Sequence, residues 1–425
     1  MKTISLILTS LFFLNSTYAL TPAVEKLVQY ETHANGAGVR SSEAIMLPHV
    51  EIPLEMVGLD FAKRLDPRIV ESLIIEKNGK EYVRWILNPE DTVWGKTLIA
   101  HFAAKGVALP VYYHFKGYQT ASRSYIAEDP TTGVEFSVKS STNVTGGAWR
   151  DKKQPVGEAI DGRLTSDFLF DQNKKRNFEN FSIMDEPAIL KINDIDQAVV
   201  IRDLGDLKEV KSNKIYVPGF SVLHEAIGKE IALKNGSTDP HAFWTENYIK
   251  VAGRALGELA ARTGIQFDSP HSQNFLVELD KQYRPTGKLI LRDMSDLYLD
   301  VTFLNSLLGK NNELVKEFTQ TGNKHAYVSA GFGPLHGNVH PSWVNEAQYS
   351  QWKDVFFNEF EKTFESISGY NVNGLKVVRN QNRQYFQSTY DLSKIDDFKS
   401  FFSKMSKNGV VLKSGNLCRN LFLEM

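Results

Sequence analysis

The chain has 425 residues, of which 42% are hydrophobic and 23% charged, and its formal net charge is −1. This length is enough for two or three domains with large cores, whereas nucleic-acid binding has no electrostatic support because no strongly basic block occurs. The single cysteine, Cys418, excludes an internal disulfide, and we interpret it as structural.

The first 19 residues have the pattern of a secretory signal peptide. Lys2 supplies a positive start, residues 4–14 form an apolar run, and Ala19 is a small residue suited to cleavage. That run is too short to span a bilayer comfortably, and no later segment is long and apolar enough to do so. We therefore expect an exported protein, periplasmic or secreted, without stable membrane insertion. A buried N-terminal helix is the alternative interpretation.

Residues 20–125 mix short helical and strand patterns, which predicts an N-terminal α/β lobe. Residues 23–30 have helical spacing, whereas residues 82–87 and 111–115 alternate as strands do.

Residues 126–310 are predicted to form a central lobe. Residues 134–139 alternate as a strand, and the hydroxyl-rich loop that follows contains Thr145, two adjacent glycines and Arg150. Free backbone N–H groups and an arginine in such a loop suit an anion. After Arg163, we expect Thr165 or Ser166 to cap a short helix. Residues 243–263 predict one amphipathic helix that ends at Gly264.

A β-hairpin is the most informative prediction in this lobe. Residues 275–279 and 289–291 are apolar runs, and the segment from Asp280 to Gly287 between them has the composition of a turn. The hairpin would place Asn274 beside Asp293 at the adjacent ends of its two strands. An amide oxygen next to a carboxylate suits Mg²⁺, which completes its coordination with water and phosphate. A turn-capping Asn274 and an exposed Arg292–Asp293 pair are the competing interpretations.

Residues 311–425 are predicted to be mostly helical, above all residues 343–368 with their Trp/Phe stripe. His336 and His340 are spaced as zinc ligands, but Gly337 and Pro341 disfavour the helix that would bring both side chains to one face.

Two segments resemble the IucA/IucC family of NRPS-independent siderophore synthetases. One is His271-Ser-Gln273-Asn274 followed by the hairpin and Arg292-Asp293. The other is the strand of residues 136–139 with the Ser/Thr–Arg loop up to Arg150, followed by residues 161–169. The family places a glutamate two residues before the histidine, where this chain has Ser269.

The resemblance implies an α+β, multi-lobed synthetase-like fold with a central antiparallel sheet and a hairpin ATP site. It implies ATP and Mg²⁺ as cofactors, a carboxylic acid activated as an acyl-adenylate, and an amine or hydroxyl as the acceptor. His271 and Arg150 would be catalytic. The nucleotide would be bound by Thr145, Arg150, Arg163, His271, Gln273 and Asn274, and the metal by Asn274 and Asp293. A homodimer is left open.

Two other functions remain as alternatives. A kinase-like phosphotransferase also uses an Asn and an Asp beside a hairpin for Mg²⁺, but Gln273 stands near the place of its catalytic base and cannot accept a proton. An exported binding protein that keeps the fold without the chemistry is the other alternative, favoured by Ser269 and by an ATP-poor destination.

Overall fold

Alternating apolar residues form the strands of this protein, and apolar residues with a helical period form its helices. The computed structural model describes residues 20–33, 42–120, 123–144, 151–263, 265–267, 272–299, 316, 327–331, 341–368, 377–380 and 387–391. The predicted signal peptide lies outside the described residues.

The described helices are α1 (Pro22–His33), α2 (Pro67–Leu73), α3 (Trp94–Ala104), α4 (Val156–Arg176), α5 (Gly219–Val222), α6 (Glu225–Lys234), α7 (Pro240–Trp244), α8 (Lys250–Thr263) and α9 (Glu346–Ser368). The described strands are β1 (Ile45–Pro53), β2 (Gly58–Phe61), β3 (Ile74–Lys77), β4 (Lys80–Ile86), β5 (Val111–Gln119), β6 (Ser124–Glu128), β7 (Glu135–Lys139), β8 (Phe181–Ile183), β9 (Ala188–Ile192), β10 (Gln197–Asp203), β11 (Lys214–Pro218), β12 (Ile265–Phe267), β13 (Phe275–Asp280), β14 (Pro285–Leu291), β15 (Leu297–Leu299), β16 (Tyr327–Gly331), β17 (Val377–Asn380) and β18 (Gln387–Asp391). This mixture confirms the predicted α+β class.

An antiparallel sheet dominates the first half of the chain. Within the described residues it has nine strands, in the order β2-β9-β10-β7-β6-β5-β1-β4-β3. One face buries apolar side chains such as Phe136 and Val138 against Leu73 of α2 and Phe102 of α3. The boundary predicted between residues 125 and 126 falls inside β6, so this sheet draws its strands from both predicted lobes.

The predicted hairpin is present as β13 and β14, the central strands of a second sheet with the order β11-β13-β14-β8. Phe275 pairs with Leu291, and Leu276 pairs with Ile290. The turn is shorter than predicted, because β14 already begins at Pro285. The carboxylate of Asp280 accepts hydrogen bonds from the backbone N–H of Gln282 and of Arg284, and these bonds stabilise the tight turn.

The predicted helix of residues 243–263 begins earlier and is interrupted. It runs from α7 through a π-helical turn, Thr245–Ile249, into α8. α8 packs along α9, which buries the predicted Trp/Phe stripe through Trp352, Phe356, Phe360 and Phe364.

The prediction that Thr165 or Ser166 caps a short helix is wrong. Both residues lie in the middle of the 21-residue helix α4, and both are fully buried. The Ser166 hydroxyl instead bonds the carboxylate of Asp185 at 2.5 Å and accepts the backbone N–H of Glu186 at 2.9 Å. It therefore stabilises a tertiary contact rather than a helix end.

The described part of the C-terminal region contains more than helix. Besides α9 it has a three-stranded antiparallel sheet in the order β16-β18-β17, whereas His336, His340 and Cys418 lie outside the described residues. Across the described helices, none combines the length and the hydropathy needed to cross a membrane.

Candidate functional site

The predicted site residues divide between described and undescribed parts of the chain. Thr145, Arg150 and His271 lie outside the described residues. Gln273, Asn274 and Asp293 lie together at one end of the hairpin, and Arg163 lies on α4.

The end of the hairpin has the predicted geometry. The backbone N–H of Arg292 donates to the carbonyl of Asn274 at 3.1 Å, so Asn274 and Asp293 lie at adjacent strand ends. Asp293 has a left-handed backbone with a φ of +68°, which Asp tolerates better than most residues but at some cost. That conformation turns the chain out of β14 into the turn Met294–Asp296.

The Asp293 carboxylate is held by two cations from the nine-stranded sheet. Its Oδ1 atom accepts from Lys139 Nζ and lies 3.0 Å from Arg202 Nη2. Ser295 donates to the same oxygen at 3.3 Å. Burial opposes ionisation, but Lys139 and Arg202, aided by Arg123, hold the pKa of Asp293 well below its usual range. The carboxylate is therefore ionised at any physiological pH.

Arg202 has a second carboxylate partner. Its Nε donates to Glu186 Oε1 at 2.7 Å, and both side chains are almost completely buried. A Cβ at Gly162 of α4 would lie 2.7 Å from Glu186 Oε2, so this glycine lets the helix approach the buried carboxylate closely. Lys139, Asp293, Arg202 and Glu186 thus form a row of alternating charges, which we call the charge row; Asp293 is half-buried and the other three are buried.

Arg292 links the hairpin to α1. Its guanidinium pairs with Glu31, a fully buried residue of α1, and its Nε donates to the carbonyl of Gln273 at 2.8 Å. Arg292 therefore supports the turn that carries Gln273 and Asn274.

Arg163 belongs to a different group of charges. Its guanidinium lies 2.5 Å from Asp167 and 3.5 Å from Asp60. Arg64 also pairs with Asp167 and makes two bonds of 2.7 Å to Asp185. Asp167 and Asp60 are partners of Arg163 that the sequence interpretation did not include.

The sequence interpretation also missed Lys139, Arg202 and Glu186. One signal was available: Lys139 ends the alternating strand of residues 134–139, and Arg202 follows the apolar run of residues 198–201. A charged side chain in a buried strand is rare unless it is paired. Their partner Asp293 is not deducible from local pattern, because it lies 154 residues beyond Lys139.

The described donor set does not fit a resident magnesium ion at Asp293. Lys139 and Arg202 already occupy Oδ1 of the carboxylate, and a metal ion there would lie against two positive charges. Nor do the described residues contain a group of three or more His, Cys, Asp or Glu side chains arranged to hold a metal. The charge row also holds two buried cations, Lys139 and Arg202, which suit an oxyanion that takes the place of Asp293.

Comparisons with protein-family models and with curated protein sequences found no match. Solved structures do match the fold. Aerobactin synthetase IucC from Klebsiella pneumoniae aligns with a TM-score of 0.53 and 12% identity, over 87% of this chain and 65% of that one. ATP-bound aerobactin synthetase IucA from the same organism gives 0.52 and 14%, over 83% and 70%. The petrobactin biosynthesis protein AsbB from Bacillus anthracis gives 0.54 and 13%, over 89% and 76%.

These likenesses concern the fold. The chain has a fold similar to that of siderophore synthetases, as its sequence motifs predicted, and it spans slightly less than two thirds of the length of IucC. Identities of 12–14% do not transfer an activity or a residue role from those proteins.

Proposed function

We propose that this protein is an ATP-dependent ligase that activates a small carboxylic acid and joins it to an amine or a hydroxyl. The single observation that carries the proposal is the pair of buried cations, Lys139 and Arg202, at the end of the hairpin. The synthetase-like fold supports it, and one of the similar structures is ATP-bound.

The proposed chemistry has two steps. A carboxylate oxygen of the acid attacks the α-phosphorus of ATP, which forms an acyl-adenylate and releases pyrophosphate. The amine or hydroxyl then attacks the acyl carbon, loses its proton and releases AMP. Negative charge develops on phosphate oxygens in the first step, and preorganised cations in a water-poor site are well suited to stabilise it.

In this proposal Lys139 and Arg202 bind the anionic substrate, and Asp293 keeps both cations in place until that substrate arrives. Glu186 orients Arg202 through its 2.7 Å bond. Gln273 and Asn274 lie at the same end of the hairpin as Asp293. His271, Thr145 and Arg150 stay predictions for the same site. Arg163 also stays a predicted nucleotide-binding residue, although its described partners, Asp60 and Asp167, are outside the charge row.

In this proposal Mg²⁺ binds together with ATP rather than to the protein alone. Mg²⁺ usually keeps several waters and is held largely by substrate phosphates. Asp293 remains the predicted protein ligand only if substrate binding draws the lysine and the arginine away from it.

Export is a second part of the proposal. It rests on the signal-peptide pattern of residues 1–19 and on predicted cleavage after Ala19. The substrates of the mature protein would then be small molecules outside the cytoplasm or in a compartment to which the protein is delivered.

Calorimetric titration of residues 20–425 with ATP, with and without Mg²⁺, tests the ligase proposal. We expect Lys139→Met to weaken ATP binding by about 10- to 100-fold, the effect of losing one charge-assisted hydrogen bond. Lys105→Met is the matched control, because Lys105 is exposed and its ion-pair partner in the described part of the chain is the surface residue Asp194.

Asp293→Asn separates the two roles of the carboxylate. If Asp293 restrains the cations, the variant binds Mg²⁺-free ATP at least as tightly as the wild type. If Asp293 is a metal ligand, the variant loses only Mg²⁺-dependent binding.

Product analysis separates the enzyme classes. Exchange of labelled pyrophosphate into ATP that requires the carboxylic acid substrate supports the ligase proposal. Formation of ADP and a phosphorylated product would indicate the kinase-like alternative. No ATP binding at millimolar concentration would reject both and leave a binding protein of the same fold.

A further inference from the structure

Glu135 is a buried carboxylate that lies outside the charge row. It is at the start of β7, on the same strand as Lys139, and only 3% of its surface is exposed. Among the ion pairs of the described residues, none joins Glu135 to a lysine, an arginine or a histidine. A buried carboxylate without a cationic partner is costly, so Glu135 requires an explanation.

Both oxygens of Glu135 are directed at the beginning of α1. The backbone N–H of Thr21 donates to Oε1 at 2.6 Å, and the Thr21 hydroxyl donates to Oε2 at 2.8 Å. The same hydroxyl lies 2.9 Å from the carbonyl of Leu207. The first described residue, Leu20, is 8% exposed and packs in the same apolar cluster as Val24 and Leu27. The backbone at Leu20 is therefore held in place next to the carboxylate.

The charge that acts most directly on Glu135 is that of another carboxylate, Glu128. Glu128 lies opposite it on β6, and Glu128 is itself 3.4 Å from Lys116 and 3.3 Å from the Tyr118 hydroxyl. Burial raises the pKa of Glu135, the two bonds from Thr21 lower it, and Glu128 raises it further. One additional positive charge at this place would offset both the cost of burying the Glu135 carboxylate and its repulsion by Glu128.

Cleavage of the predicted signal peptide would create such a charge on Leu20, the residue just before Thr21. Water adds across the Ala19–Leu20 peptide bond, leaving a carboxylate on Ala19 and an α-ammonium group on Leu20. Consecutive backbone nitrogens are about 3–3.6 Å apart, so the new ammonium lies within reach of Glu135 after a small rotation. In the uncleaved chain the same nitrogen is a neutral amide.

We propose that Glu135 is the receptor for the α-ammonium group of Leu20, so that removal of the signal peptide completes a buried ion pair between α1 and the nine-stranded sheet. The proposal rests on the export and cleavage proposed above. Before cleavage, the described residues offer Glu135 hydrogen bonds from Thr21 but no cation, and the mature protein adds the ammonium group. Maturation therefore stabilises the beginning of β7, the strand that also supplies Lys139.

Proteins with defined N-termini test this directly. Residues 20–425 are prepared with a free Leu20 amine and with the same amine acetylated, each in wild-type, Glu135→Gln and Glu25→Gln backgrounds. Glu25 is an exposed carboxylate on α1 and serves as the matched control. We expect the free-amine wild type to melt about 2–4 °C above its acetylated form. Glu135→Gln is expected to abolish this difference, and Glu25→Gln to leave it. The difference should fade above about pH 8, where α-amino groups lose their proton.

Equal melting temperatures of the free and acetylated wild type would overturn the proposal, as would a difference that persists in Glu135→Gln. A second measurement does not depend on the folding of that variant. We expect an amine-reactive reagent at pH 7 to label Leu20 of the folded wild type at least 10-fold more slowly than in urea. Equal rates would overturn the proposal.

N-terminal sequencing of the exported protein separates this proposal from the ligase. Leu20 as the first residue supports the receptor role of Glu135, and a different first residue overturns it. Neither result affects the ATP titration, which reports on the ligase alone.

Discussion

The charge row brings together charged side chains from two sheets, and Lys139, Arg202 and Glu186 are almost completely buried. Lys139, Arg202 and Glu186 come from the nine-stranded sheet and its connections, and Asp293 comes from the hairpin of the second sheet. Each buried ion loses several kcal/mol of hydration, which its partners must offset. If these positions contributed only to packing, apolar side chains could fill them without a loss of hydration. Clusters of this kind are typical of functional sites.

A second buried group is the imidazole of His49 on β1. The side chain is 1% exposed and lies among aromatic rings, with Tyr112 at 5.9 Å between ring centroids. Burial lowers its pKa to about 3, and the nearby Arg84, His114 and Lys77 lower it in the same direction. One carboxylate faces it, that of Glu51 at 3.9 Å.

We predict that this histidine contributes to acid unfolding. Its pKa is lower in the folded chain, so the unfolded chain binds more protons between pH 6.5 and pH 3. Its stabilising contribution is complete above pH 6.5 and is lost as the pH falls. His49→Gln should therefore reduce the loss of unfolding free energy between about pH 8 and pH 5 by about 1–2 kcal/mol.

Urea denaturation at the two pH values measures this effect. The difference between wild type and His49→Gln at the higher pH gives the packing cost alone, because the imidazole is then neutral in both states. Parallel pH profiles for the two proteins would refute the prediction.

At the scale of elements, the contact between α8 and α9 depends on two glycines one helical turn apart. A Cβ at Gly253 would lie 2.5 Å from the carbonyl oxygen of Phe356, and one at Gly257 would lie 2.6 Å from that of Phe360. Backbone atoms cannot move aside as flexible side chains do. The absence of a Cβ therefore sets how closely these helices approach.

We predict that Gly257→Ala destabilises the protein by about 1–3 kcal/mol, the usual cost of overpacking. Gly157→Ala in the first turn of α4 is the control, because a Cβ there would project into open space, with no atom of another element within 4 Å. That control should be neutral or stabilise the helix by about 0.5–1 kcal/mol. Thermal unfolding of both variants decides the matter, and equal melting temperatures would show that α9 can shift without cost.

For the molecule as a whole, α1 packs against both large sheets. Leu27 of α1 shares an apolar cluster with Ile126 of β6 and with Leu276 and Ile290 of the hairpin. The ion pair between Glu31 and Arg292 adds a polar connection to the hairpin. A substitution in α1 should therefore lower the local stability of both sheets.

Leu27→Ala tests this coupling. We expect it to lower the free energy of unfolding by about 2–5 kcal/mol, because it leaves a cavity in that cluster. Hydrogen exchange should become faster in both β6 and β13, whereas Lys26→Ala, on the less buried side of α1, should change neither. Faster exchange confined to one sheet would contradict a bridging role.

The local sequence pattern was sufficient to predict α1, β7, the hairpin and the Trp/Phe stripe of α9. Each depends on the spacing of apolar residues within a few turns or one pair of strands. Local pattern failed for Thr165 and Ser166, whose hydroxyl groups resemble helix caps in sequence. Their burial inside α4 depends on contacts with a distant segment, and Ser166 shows this by its bond to Asp185.

The sequence by itself determined the α+β class, the synthetase-like motifs and the adjacency of Asn274 and Asp293. That adjacency follows from a hairpin, whose strands are neighbours along the chain. Only the tertiary structure decided that Asp293 meets Lys139 and Arg202, and that Glu135 meets Thr21. Lys139 and Asp293 are 154 residues apart, and Glu135 and Thr21 are 114 apart. Their contacts therefore depend on strand order and on the packing of α1 and the hairpin against the sheet. Side-chain charge can be read from sequence, but its neutralising partner is determined by topology.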